Sequence, residues 1–325
     1  MTTNKARSIR VAAIQMESQN SPIIANLEHA TPLVNLAAEK GAKLVLLPEF
    51  MPTGYVFSRD IWDNGEPKEG PSVKWLRESS KRLGVWLGTS FLEAEGEDFF
   101  NTFVLTNPDG KEAGRVRKQT PSSMEAYFFK GDIGPHLIET ELGSVGVGIC
   151  YENQLSYLPQ MLQKQSVDMI LMPHSAVTPP RSFIVGNKLI EPYNNSLREV
   201  AHRYAGFVGV PVVMANKCGS WQSPMPFPWS LSGKQKSSFP GLSAIVDSNG
   251  TVKAQLGIEE AVLVEDVTLD PSRKTYRPPK CYGRWTLEGP WARNIFQVIE
   301  ATGRLSYSLS SERKRKAQQI SSYNK

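Results

Sequence analysis

The 325 residues suffice for one large domain or two ordinary ones around a substantial core. With 40% hydrophobic and 21% charged residues the composition is that of a globular chain and excludes intrinsic disorder. A net charge of +5 is too mild to single out acidic partners, and no stretch approaches the roughly 18 apolar residues of a membrane span.

Arg10–Gln15 predicts the first strand. Asn26–Lys40 follows with helical spacing of Leu27, Leu33, Val34, Leu36 and Ala37 and stops at Gly41. Pro32 either kinks this helix or, with Thr31, starts a shorter one. Leu44–Leu47 is continuously apolar, as in a strand buried on both faces. Ser72–Leu83 predicts an amphipathic helix and Val85–Phe91 a strand. Phe100–Leu105 and Glu112–Val116 flank the turn Asn107-Pro108-Asp109-Gly110, a hairpin signal. Ser144–Ile149 reads as a glycine-spaced strand, Tyr157–Lys164 as a helix and Met169–Met172 as a strand. Leu189–Tyr204 reads as a helix and Val210–Ala215 as a strand. Leu242–Val246 and Val252–Leu256 flank Asn249-Gly250, a second hairpin, and Val262–Val267 closes the core. Beyond Arg273 the pattern loosens, with one short helix over Trp291–Thr302 and then the basic run Arg313–Lys316. The reading is an α/β layered fold with mixed sheets over 9–272 and a C-terminal arm or tail over 273–325.

Cys150, Cys218 and Cys281 are too few and scattered for a disulfide framework, and His29, His136, His174 and His202 form no metal-binding pattern. The apolar run Val11–Ile14 is too short for a signal-peptide core, so the expected compartment is the reducing cytoplasm.

Three segments join reactive side chains to suitable local structure. Leu44–Pro48 delivers Glu49 at the C-terminal end of a buried strand, where α/β proteins place ligands. Gly114–Pro121 places Lys118 just after a hairpin strand. In Val145–Asn153, Cys150 sits between a glycine-rich strand and a helix, the place of a nucleophile on a sharp turn, where a helix N-terminus favours thiolate. Taken singly, a surface glutamate, a solvated lysine and an inert buried cysteine are the plain alternatives.

Read in order, LPEF, the RK pair with Glu125 seven residues past its lysine, and GICYE resemble the nitrilase superfamily of carbon–nitrogen hydrolases. The likeness extends over about residues 9–270, through Val11–Met16, Ala38–Lys43, Phe128-Phe129-Lys130-Gly131-Asp132, Asp168–Pro173, Val210–Asn216 and Gly241–Asp247. It implies an αββα sandwich with a Glu–Lys–Cys triad: Glu49 as general base, Lys118 as oxyanion-stabilising cation and Cys150 as nucleophile. It further implies Glu125 as a positioning carboxylate, the Tyr151 N–H as a second oxyanion donor and His174 as pocket lining. No metal or organic cofactor is expected. Homo-oligomers, dimers or larger, follow from the resemblance alone, with the arm as a contact.

The flanks leave the substrate open. Tyr151 after the nucleophile favours an amide or carbamoyl substrate, whereas Glu152-Asn153 and the proline of Lys118-Gln119-Thr120-Pro121 are nitrilase-like. Tyr55, Tyr127, His174–Arg181 and Trp221–Phe239 are expected to shape the pocket. Two readings of other classes remain: a non-catalytic binding protein on this fold, and a nucleic-acid binder using Arg313–Lys316, for which a solvated tail is the plainer account. No nucleic acid and no membrane are therefore expected as partners.

Overall fold

The structure, a computed structural model, describes residues 5–20, 22–179, 187–286 and 290–324. In chain order the first strands are β1 (Arg7–Gln15), β2 (Leu44–Leu46), β3 (Trp86–Glu95), β4 (Asp98–Thr106), β5 (Glu112–Arg117), β6 (Leu137–Thr140) and β7 (Gly143–Val147). There follow β8 (Met169–Pro173), β9 (Val212–Ala215), β10 (Ser220–Ser223), β11 (Gln235–Ser238), β12 (Ala244–Val246), β13 (Val252–Gln255) and β14 (Ala261–Leu269). The helices are α1 (Ile23–Glu39), α2 (Pro71–Leu83), α3 (Tyr157–Lys164), α4 (Asn187–Val208), α5 (Pro290–Leu309) and α6 (Ser311–Ser321).

One sheet has the order β14-β1-β2-β3-β4-β5, the other β13-β12-β9-β8-β7-β6. Both are mixed: β1, β2 and β3 run parallel, as do β7, β8 and β9, and antiparallel strands flank them. Period-2 alternation sets the layers. In β1, Ile9, Val11 and Ala13 join the cluster that fills the space between the sheets. Ala12 and Ile14 join Leu27, Ala30 and Val34 of α1 and Val73 and Leu76 of α2, which cover the first sheet. On the second sheet Gly146 leaves room for α3, since a Cβ there would lie 2.8 Å from Leu162 Cδ2. Leu197, Val200, Ala201 and Tyr204 of α4 pack in the same cluster. The result is the αββα sandwich.

Several elements exceed their sequence-predicted bounds. A single helix spans Pro32. β3 and β4 run on to Glu95 and Asp98 through Glu93, a buried carboxylate tolerated because Arg115 and Arg117 pair with it at 2.5 and 3.0 Å. The C-terminal region departs most. Instead of one short helix and a solvated basic tail, α5 and α6 pack onto the chain's own core. Arg313 is buried and pairs with Asp98 at 2.6 Å, and Lys316 pairs with Asp63 at 2.6 Å. Those partners draw Arg313 and Lys316 against the surface, while Lys314 and Arg315 stay exposed. Among the described residues no helix is long and apolar enough to cross a membrane.

Candidate active site

The chemistry-bearing residues sit at strand ends, on both sheets. Pro48 ends the strand region after β2, and Glu49 follows it, fully buried. Its Oε1 accepts from Lys118 Nζ at 2.8 Å and from Asn101 Nδ2 at 2.7 Å, and its Oε2 accepts from the Ser175 N–H at 2.9 Å. Lys118 leaves the end of β5, and its backbone N–H is held by the Asn101 carbonyl at 2.9 Å. Its ammonium also donates to Glu125 Oε2 at 2.8 Å. Glu125 lies in a short 3-10 turn, Ser123–Tyr127, where it accepts from the Ser122 N–H at 2.7 Å and the Tyr55 hydroxyl at 2.9 Å. It is 1% exposed and so is no surface glutamate.

Electrostatics follow from that burial. Desolvation works against the Lys118 ammonium, but the Glu125 and Glu49 charges outweigh it and raise its pKa. Burial raises the Glu125 carboxyl, and the Lys118 charge offsets this only in part.

Cys150 follows β7 from the second sheet and opens the 3-10 turn Cys150–Gln154. Its φ of +52° puts a non-glycine residue in the left-handed region, the strained elbow expected of a nucleophile between strand and helical turn. Burial pushes its thiol well above the usual range, and the Glu49 charge adds to this, while Lys118 and the Ser175 N–H work toward thiolate. The charges of Glu49, Lys118 and Glu125 all act on this one sulfur.

Glu152 ties the lysine segment to the cysteine turn. Its fully buried Oε1 accepts from the Gln119 N–H at 2.7 Å, the Tyr157 hydroxyl at 2.7 Å and His136 Nε2 at 3.2 Å. Burial works to raise its pKa, but His136 and the hydrogen bonds hold it below the ordinary range. His174 is buried beside Asn153 Nδ2 at 2.9 Å, and burial, then the Lys118 charge, pulls it down to about 3, so it is neutral. The Tyr151 side chain reaches the arm: its hydroxyl accepts from Trp285 Nε1 at 2.9 Å and donates to Glu300 at 3.1 Å.

Several neighbours escaped the sequence reading. Asn101 is one, although a polar residue inside the apolar β4 was a usable signal. Tyr193 of α4 is another; burial and then the Cys150 charge push its phenol up. Lys217, after β9, is fully buried and donates to the Phe50 carbonyl at 2.9 Å, with no carboxylate partner among the described residues. Burial draws its ammonium down to about 7, against the Glu49 and Cys150 charges. Of the expected pocket-shaping residues, Tyr55 bonds Glu125 and Tyr127 bonds Thr302, whereas Pro180 and Arg181 lie outside the described residues.

Comparisons with known proteins bear on the family and the fold. The family model described as carbon-nitrogen hydrolase matches residues 10–277. The chain is 27% identical over 277 residues to N-carbamoylputrescine amidase of Solanum lycopersicum, covering 82% of this chain and 88% of that one. It is 29% identical over 175 residues to a nitrilase of Pyrococcus abyssi, covering 53% of this chain and 66% of that one. Among solved structures, a carbon-nitrogen hydrolase from Helicobacter pylori superposes with a TM-score of 0.70 at 20% identity, covering 82% of this chain and 91% of its own. A mutant amidase from Nesterenkonia sp., with the acetamide moiety of fluoroacetamide added covalently at its active-site cysteine, superposes at 0.63 with 20% identity and covers 82% and 91%. With a match over most of its length, this chain belongs to the carbon–nitrogen hydrolase family.

Proposed function

We propose that this enzyme hydrolyses a non-peptide amide or carbamoyl bond through a thioester on Cys150. One observation carries the reading: a fully buried ammonium, Lys118, bridges Glu49 and Glu125 at 2.8 Å each and acts electrostatically on the Cys150 thiol. A resting thiol with a raised pKa needs a base at the moment of attack. Glu49 takes the S–H proton as sulfur bonds the carbonyl carbon. The C=O pair moves to oxygen, where Lys118 and the Tyr151 N–H stabilise it; one such donor is worth about 3 kcal/mol. Collapse returns the pair, breaks the C–N bond and releases ammonia or an amine that takes the proton from Glu49. Water, deprotonated by the same carboxylate, then attacks the thioester carbon; collapse breaks the C–S bond, releases the acid and returns the proton from Glu49 to sulfur. Glu125 and Tyr55 hold Lys118 in place, and neutral His174 positions the turn through Asn153.

The N-carbamoylputrescine amidase relatives favour an amide or carbamoyl substrate. A nitrile is the second reading, favoured by the Pyrococcus relative, by Glu152-Asn153 after Tyr151 and by Pro121 after Lys118. Ammonia release from a panel of ω-amides, N-carbamoyl compounds and nitriles decides between them. Turnover of amides or carbamoyl compounds that disappears in Cys150→Ala, by about 1,000-fold or more, is the expected result. Turnover of nitriles alone contradicts the preference.

The cytoplasm suits a nucleophile that must stay reduced and the free Cys218 and Cys281. Self-association suits the outer face of α5, where Val298, Leu305 and Leu309 are exposed at 57%, 60% and 75%. A 36 kDa particle by light scattering at micromolar concentration contradicts it.

A further inference from the structure

A cavity of about 550 Å³ opens between the arm and the core and includes none of Glu49, Lys118 and Cys150 in its walls. That volume is in the range of small-molecule sites, about 300–1,000 Å³. Five basic side chains line it, Lys130, Arg284, Arg304, Arg313 and Lys314, against two acidic ones, Glu97 and Asp98. The acids are already engaged: Asp98 pairs with Arg313 at 2.6 Å and Lys130 at 3.1 Å, and Glu97 with Lys314 at 3.5 Å. Arg304 has no ion-pair partner among the described residues.

A second, independent observation marks the same place. Buried polar atoms in a folded chain are normally hydrogen-bonded. Here Arg284 Nε, Arg313 Nε and Gln119 Oε1 are buried without a partner among the described residues, and all three residues line this one cavity. Arg313 itself is 4% exposed. Guanidinium forks with free N–H groups match carboxylate and phosphate oxygens.

The walls also touch the segments that carry Lys118, Glu125 and Cys150. Gln119 follows Lys118, and Ala126 follows Glu125. Arg284 donates to the hydroxyl of Tyr151, the residue after Cys150, at 3.3 Å.

We propose that this cavity is an effector site for a small metabolite carrying two or more carboxylate or phosphate groups. Arg304 holds the oxyanions, in the positive field of Arg284 and Arg313, whose terminal nitrogens already pair with Glu300 and Asp98. Occupancy alters turnover through the three segments just named, which lie beside the reacting groups and outside the substrate site.

Calorimetry on the full chain tests this without any need for turnover, so its outcome is separate from that of the amidase reading. Citrate and inorganic phosphate are the probes, with sodium chloride and putrescine at matched ionic strength as controls. Citrate is expected to bind saturably, with affinity reduced by about tenfold or more in Arg304→Gln and further in Arg304→Glu. Iodoacetamide-labelled protein, blocked at Cys150, is expected to bind citrate as well as unlabelled protein does. In assays with a turned-over amide, citrate should change kcat with the half-saturation seen by calorimetry, and not in Arg304→Glu. Heats that do not saturate or merely follow ionic strength overturn the proposal. So does equal affinity in both Arg304 variants, or loss of binding on labelling. Phosphate binding without citrate binding would mark a single-oxyanion site and overturn the polyanion assignment.

Discussion

Lys118 is the residue on which the electrostatics turn. Removing one partner of a buried ion pair leaves charge without compensation, at about 3–5 kcal/mol. Lys118→Met should therefore lower unfolding stability by that amount as well as abolish turnover, because Glu49 and Glu125 are then left facing each other in the interior. Adding Glu125→Gln should restore part of the stability and none of the activity; denaturant titration of the two variants checks both. Lys217 carries a pH signature of the opposite kind. Its folded pKa of about 7 lies below the roughly 10.4 of an unfolded lysine. Between those values the unfolded chain binds more protons, so stability rises with pH across that window. Relative to Lys217→Met, the wild type should gain on the order of 1 kcal/mol per pH unit from about pH 7 to about pH 10. Parallel stability–pH curves would refute it.

At the scale of elements, the turn after β7 is tightly constrained. A Cβ on Gly148 would fall 2.1 Å from Asn153 Oδ1 and 2.9 Å from Leu158 Cδ2. Gly148→Ala should cost about 1–3 kcal/mol and depress kcat, since Asn153 holds His174. A variant with unchanged Tm and kcat would show that the turn yields more easily than its packing implies. Strand ends of this kind were legible in the sequence because their signal is local: an apolar run, a small-residue run, then the reactive side chain. What holds them was not. Asn101 reaches Glu49 across 52 positions, and Tyr55 reaches Glu125 across 70, separations that no window along the chain can span. The β3–β4 hairpin was underestimated for a related reason. Glu93 looks like a strand terminator until Arg115 and Arg117 are brought beside it. The sequence likewise misjudged α6, whose polar surface lacks the apolar face that announces a packed helix and which docks through ion pairs instead.

At the scale of the molecule, the arm closes over both halves of the site. Tyr307 accepts from the Phe99 N–H at 2.8 Å, Thr302 meets Tyr127 at 2.9 Å, and Trp285 holds Tyr151. A chain ended after Tyr276 should lose activity and melt lower; Tyr307→Phe, which strands the Phe99 N–H, should cost about 1–3 kcal/mol on its own. Full activity in the shortened chain would make the arm dispensable. The two sheets carry a further consequence. Glu49 and Lys118 issue from one and Cys150 and Ser175 from the other, with Glu125 in the crossing between β5 and β6. Neither piece of a polypeptide cut in that crossing holds a whole reaction centre. On the proposed mechanism such fragments should be inert apart and regain turnover when mixed, so that turnover reports directly on whether the two faces have joined.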